Sequence, residues 1–312
     1  MNNKLTNIAR KYADSLNNKI AQELNDFIMK NASLASQRSF AKDYQEHFTK
    51  VFKTVTQAES EILDGKNLKD FLDELNETEL LEFTLAFAEV FEYDLPEIVL
   101  TELKTISQAK QEDLVDKLFN LPITKDKNQA TKNERGDLYL LRALLRILAL
   151  WENKARLERV LDWYMQHEFV EEFTSDEVLN FLVKEDELAF KEIEPLVASY
   201  LDNYSAKNSQ MRKEKALNLL DVLVKIAVKH EKLQDDTYKL LTIAFEELPD
   251  KSLISFQFAD LDYPRAIPFL RTYIMLNEDT ISEELYYDII YSLKRLGAKT
   301  DDLPDLGERF NK

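Results

Sequence analysis

Cysteine is absent from the 312-residue chain, which excludes a disulfide framework, a thiolate zinc site and a thiol nucleophile, and fits a reducing compartment. Glycine is nearly as scarce. The four present, Gly65, Gly136, Gly297 and Gly307, form neither a Gly-x-Gly-x-x-Gly run nor a Gly-Lys-Ser/Thr loop, so phosphate cradles of those kinds are excluded. Three histidines offer little catalytic material. His167-Glu168 opens like a zincin helix, but the position one turn on that must supply the second imidazole is Glu171, and the zinc reading fails at a ligand. Neither His47 nor His230 has a carboxylate three residues before it, so the Glu-x-x-His di-iron pattern is missing too. No metal and no cofactor is expected.

Long apolar runs are also lacking. The most apolar window, Leu138–Trp151, is too short for a bilayer and holds Arg142 and Arg146, either of which is costly in hydrocarbon. Met1–Phe27 intersperses Asn, Lys, Asp and Glu among its apolar residues and lacks the basic-then-apolar order of a secretion signal. A cytoplasmic protein is expected. Positive charge is in deficit, with 41 Lys and Arg against 58 Asp and Glu and a net charge of −17. The balance is uneven, +3 over residues 1–60 and −11 over residues 61–120. Such a field repels phosphate backbones at long range, so nucleic acid is not an expected partner. With so many acids, no paired acid/base site follows from spacing alone. Glu82 and Glu89, for example, fall opposite Leu80, Thr84, Phe87 and Phe91 on a helical wheel, as a solvated face does.

What the chain does have is apolar periodicity at steps of three and four. Leu5, Ile8, Tyr12, Leu16, Ile20, Leu24 and Phe27 form one stripe, and Phe40, Tyr44, Phe48, Val51, Val55 and Ile62 a second. Together they predict a helical hairpin over 1–65, closed by the Asp64-Gly65 turn signal. From Asn67 onward the pattern predicts shorter helices over 67–75, 78–92, 95–108, 111–119, 134–151, 153–168, 175–184, 188–204, 209–231, 233–247, 250–259, 263–276 and 281–296. Asn76-x-x-Glu79, Thr174-x-x-Glu177 and Thr280-x-x-Glu283 read as capping boxes. Asp94-Leu95-Pro96, Asp262-Tyr263-Pro264 and Asp302-Leu303-Pro304 read as helix openings. The polar stretch 121–133 is the best candidate for a loop or sub-boundary. Ile254, Phe256 and Phe258 alternate like a strand, but with no segment to pair with them a short buried helix is expected.

An all-α fold follows. Short helices, tight turns and aspartate/proline openings over 66–312 resemble α-solenoids of the HEAT and armadillo type, which implies an irregular α-α superhelix preceded by the N-terminal hairpin. The prolines at 96, 195, 264 and 304 set no constant period, and the tetratricopeptide and ankyrin signatures are missing. HEAT-like DNA glycosylases bind duplex on a basic concave face, a pattern from which the −17 charge departs.

The candidate site is a cationic row across an otherwise apolar helix. Arg142 and Arg146 lie about forty degrees apart on a helix and Arg135 continues the row. Read structurally, the guanidinium groups pair with acids on the next helix, Glu158 and Asp162 being the nearest in sequence. Read functionally, they grip a carboxylate or phosphate by forked hydrogen bonds. Lys207, Arg212, Lys213 and Lys215 form a second basic cluster, expected as a solvated helix start. Tyr273, Tyr286, Tyr287 and Tyr291 are expected mostly in the core, or as interface anchors where exposed. Broad grooves and the lack of catalytic motifs make the leading expectation a non-enzymatic scaffold that binds another protein or a peptide. The alternative is an all-helical enzyme or small-anion sensor with a pocket near Arg135, Arg142 and Arg146.

Overall fold

The computed structural model describes residues 3–32, 40–119, 132–151, 154–166, 172–204 and 211–306. Among them the chain forms fifteen α-helices and no strand, with one isolated antiparallel bridge between Ser60 and Lys66. The protein is all-α, and no helix among these residues is long and apolar enough to cross a membrane. The chain divides into two compact units, Met1–Arg156 with Gln166–Val178, and Leu157–Met165 with Leu179–Lys312.

Unit 1 holds α1 (Asn3–Lys30), α2 (Phe40–Gln57), α3 (Leu68–Leu72), α4 (Glu77–Ala88), α5 (Glu97–Leu103), α6 (Gln108–Phe119), α7 (Lys132–Leu148) and the start of α9 (Glu172–Lys184). The first stripe buries Leu5, Tyr12, Leu16, Ile20 and Leu24 along α1, which packs on both α2 and α4. Ile62 does not continue the second stripe. It sits in a 3-10 turn, Glu61–Leu63, whose Ser60 hydroxyl accepts from the Ile62 amide at 3.3 Å. Asp64 (φ 56°) and Gly65 (φ 78°) then hold the left-handed backbone that ends the turn. Phe83, Phe87 and Phe91 form the centre of the unit at 0–1% exposure, each contributing about 2–3 kcal/mol by burial. α4 starts at the expected capping box: Asn76 Oδ1 accepts from the Thr78 and Glu79 amides, and Glu79 Oε2 accepts from the Asn76 amide.

The other two capping boxes are corrected. α9 opens at Glu172, so Thr174 lies inside its first turn. α15 (Glu283–Arg295) is capped by Ser282, whose extended backbone lets its hydroxyl accept from the Leu285 amide at 3.3 Å; Glu283 is then the first helical residue and too close to reach back. Pro96 directly precedes α5, and Pro264 stands two residues before α14 (Ala266–Leu276). Pro195 instead lies within α10 (Asp186–Asp202), and Pro304 follows α15 in a non-helical segment. Residues 121–131 of the expected loop lie outside the described residues, and α7 begins at Lys132.

Unit 2 continues through α10, α11 (Lys213–Ala227), α12 (Glu231–Glu247), α13 (Lys251–Leu261), α14 and α15. Each of these helices packs on its successor, and α10 on α12, α11 on α13 and α13 on α15 pack side by side as well. Ile254 and Phe258 are fully buried on α13, so the alternating stretch is a helix, which pairs its own backbone polar groups without a partner segment. At the end of α15, Gly297 (φ 78°) makes the left-handed closure, with Gly297 N donating to Lys294 O and Ala298 N to Leu293 O at 3.1 and 2.9 Å. Two lysines finish other helices. Lys251 Nζ donates to the carbonyls of Phe245, Glu246 and Leu248 at the end of α12, and burial pushes its ammonium below the ordinary value. Lys215 Nζ donates to Tyr164 O and Met165 O near the end of α8 (Lys154–Gln166).

Candidate functional site

Arg142 and Arg146 face a cleft of about 730 Å³ in unit 1, between α2, the segment from Glu92 to Ile98, α7 and Glu177 of α9. Its position begins with Asn17. This side chain is buried on α1; its amide donates to Val90 O at 2.8 Å and accepts from the Glu92 amide at 3.1 Å. Both ends of one side chain thus fix the turn that leaves α4. Arg142 holds the same turn from α7, donating to Glu92 O at 3.4 Å. Pro96 then starts α5 beneath the rim.

One wall is aromatic. Phe48 and Phe52 stand on successive turns of α2 with ring centroids 5.7 Å apart, and Tyr93 packs at 5.6 Å from Phe48 and 5.7 Å from Phe91. Burial and then the neighbouring Glu92 carboxylate push the Tyr93 phenol above its ordinary value, which fits a ring set into an apolar wall. Leu95, Pro96 and Ile98 extend the apolar lining.

The opposite wall carries the charge, and that charge is internally matched. Arg142 Nε lies 3.0 Å from Glu177 Oε1, with side chains only 16% and 22% exposed. Its guanidinium carbon also lies 5.9 Å from the Tyr139 ring centre. Arg146 NH1 lies 2.9 Å from Asp94 Oδ2, in a pair that is 31% and 55% exposed. Behind the arginine stems, Phe91, Tyr93, Leu95 and Ala143 close in around a residual space of about 10 Å³, barely one water. The stems are therefore packed as apolar rods, with the Arg146 head at the rim and the Arg142 head more deeply set.

Of the three candidate residues, Arg142 and Arg146 line the cleft; Arg135 lies on the first turn of α7, and its side chain lies outside the described residues. Acids that hold the pair are Glu177 and Asp94, from α9 and the α4–α5 turn. Both come from elements that the sequence does not place beside α7. The sequence reading also passed over the aromatic wall, because Phe48 registers only as one step of a helical stripe. Asp94 was visible as a turn signal, though not as an arginine partner.

Compared with known protein families, with curated proteins and with solved structures, the chain matches none of them.

Other sequence candidates have internal partners. Lys213 pairs with Asp250 at 2.9 Å and Lys215 with the backbone of α8, while Lys207 lies outside the described residues. His167 and its neighbours to Glu171 also lie outside them. His47 stacks on Phe27 at 4.3 Å, and His230 sits between Asp186 and Glu187 at 2.7 and 3.3 Å. Among the described residues no group of three His, Asp or Glu side chains is arranged to hold a metal ion. Tyr286 is buried and donates to Pro304 O at 2.8 Å. Tyr273 is half-buried against Phe245, but Tyr287 and Tyr291 are exposed.

Proposed function

We propose that the protein is a cytoplasmic, non-catalytic scaffold of the helical-repeat kind that binds another protein or a peptide, and that the unit 1 cleft receives an apolar segment of that partner. The observation that carries the reading is the charge matching around the cleft. Arg142 and Arg146 already have carboxylates at 3.0 and 2.9 Å, so the surface on offer is the aromatic wall of Phe48, Phe52 and Tyr93 rather than free cationic charge. Apolar and aromatic anchors filling such a recess dominate protein recognition energetically. The side-by-side packing of α11, α13 and α15, each separated by one crossing helix, supports the HEAT-like part of the proposal. In this reading the hairpin of α1 and α2 serves as a cap or docking element, since α2 supplies the aromatic wall.

A small-anion site is the second reading, favoured by the presence of two arginines on one wall. It requires the anion to displace Asp94 or Glu177 from its partner, a competition that the aromatic reading avoids. Native mass spectrometry of the protein purified from its own cells separates the two. Co-purification of a stoichiometric protein partner is expected; a retained small anion with no protein partner is the contrary outcome.

A further inference from the structure

α11 and α13 are covered by their neighbours on almost every side. Beyond its first turn α11 reaches solvent only through the row Asn218, Asp221 and Lys225, and α13 only through Lys251 and Ser252 at its start and through Leu253, Phe256 and Asp260. α15 lies parallel to α13 in one register: Ser255 Oγ is 3.4 Å from Ser292 Oγ, the Phe256 ring meets the edge of Tyr291 at 5.9 Å, and Arg295 lies 2.8 Å from Asp260.

The result is a strip of Leu253, Phe256, Tyr287 and Tyr291, in which Leu253, Tyr287 and Tyr291 are 46%, 50% and 56% exposed. Scattered apolar residues on a surface need no explanation, but a contiguous aromatic strip between two aligned helices marks a contact surface. Its charge gives the partner's chemistry. Two cations beside the strip are matched, Lys225 by Asp221 at 2.7 Å and Arg295 by Asp260 at 2.8 Å, while Lys294 stands exposed at the C-terminal end of α15. Glu284 and Asp288 have no cation at ion-pair distance among the described residues. The strip is thus apolar along its length and negative at the end of it nearest the start of α15, where Glu284 and Asp288 lie.

We infer that this face of unit 2 binds a cationic amphipathic segment of another protein, its apolar side chains lying on Leu253, Phe256 and Tyr291 and its Lys or Arg residues reaching Glu284 and Asp288. Tyrosine rings also attract such cations through their faces. A second copy of the chain is the poorer complement, because each copy carries −17 and would bring the same acids together. The inference rests on the protein-binding reading but not on the unit 1 cleft.

Fluorescence anisotropy with the full chain tests it, using a labelled amphipathic peptide of leucine and lysine and its counterpart with glutamate for lysine. Only the lysine peptide is expected to bind. Tyr291→Ala is expected to weaken it at least tenfold with the unfolding midpoint unchanged, Glu284→Lys with Asp288→Lys to reverse the preference between the peptides, and Phe52→Ala in unit 1 to leave binding alone. Equal binding of both peptides, or binding insensitive to Tyr291→Ala, overturns the inference. So does self-association of the chain that Tyr291→Ala abolishes, which assigns the strip to a second copy. These outcomes leave the unit 1 reading untouched, since it is tested on Phe52.

Discussion

Tyr12 is 1% exposed between α1 and α4 with its ring 6.1 Å from Phe87, and its hydroxyl has no hydrogen-bond partner among the described residues. Burial pushes the phenol up to about 12 from an ordinary 10.0. The neutral form is the one the fold tolerates, so this term is fully present below pH 10.0 and is lost as pH rises toward about 12. Tyr12→Phe removes an unsatisfied hydroxyl at constant ring volume, and a gain of about 1 kcal/mol in urea unfolding at neutral pH is expected. The same variant is expected to flatten the alkaline loss of stability. Arg142 and Arg146 differ by burial in the opposite sense. Removing Arg142 strands the largely buried Glu177 carboxylate, so Arg142→Met is expected to cost about 2–3 kcal/mol. The more exposed Arg146–Asp94 pair is worth about 0–1 kcal/mol, so Arg146→Met is expected to unfold close to wild type. Equal losses in denaturant titrations would contradict the assignment of one buried and one rim pair.

At the scale of the helix, local signals were legible where they act locally. The stripe of α1, the capping box at Asn76 and the helical nature of Ile254–Phe258 all follow from backbone geometry within a few residues. Thr280 misled because Ser282, two positions on, has the extended backbone a cap needs and a hydroxyl of its own. Pro195 is tolerated inside α10 because a proline within a packed helix forfeits one backbone bond, a loss that the burial of Ile193 and Val197 around it offsets. The arginine row was legible as a set of charges in need of partners. Which acids supply them was not, for Asp94 and Glu177 meet α7 only after α4, α7 and α9 have assembled. The aromatic wall was hidden for the same reason: Phe48 reads as one step of a stripe and nothing marks Phe52 until the turn after α4 brings Tyr93 against them.

Taken as a whole molecule, the chain carries many carboxylates engaged in exposed pairs, and unit 2 shows what acid does to them. Lys232 holds Glu187 below its ordinary value, Lys239 and Arg265 hold Asp235 down, and Arg271 holds Asp302 down. Depressed carboxylates stabilise the fold fully above their unfolded values, 3.8 for Asp and 4.5 for Glu, and lose that effect as pH falls through the lower folded ones. The unfolding midpoint is therefore expected to drop below about pH 4, with a shallower drop in Asp235→Asn, whose partners Lys239 and Arg265 lie at 3.2 and 2.5 Å. An acid limb unchanged in that variant would remove Asp235 from the account. A chain at −17 also repels itself, which salt relieves by screening.

The central claim is that the unit 1 cleft recognises a protein by its aromatic wall. A photo-crosslinking residue placed at Thr49, on the cleft lining, tests it directly in cells of the source. The account predicts a discrete cross-link to another protein that survives Arg146→Met and disappears with Phe52→Ala. A cross-link that survives Phe52→Ala but is lost with Arg146→Met would contradict it and return the site to charge recognition.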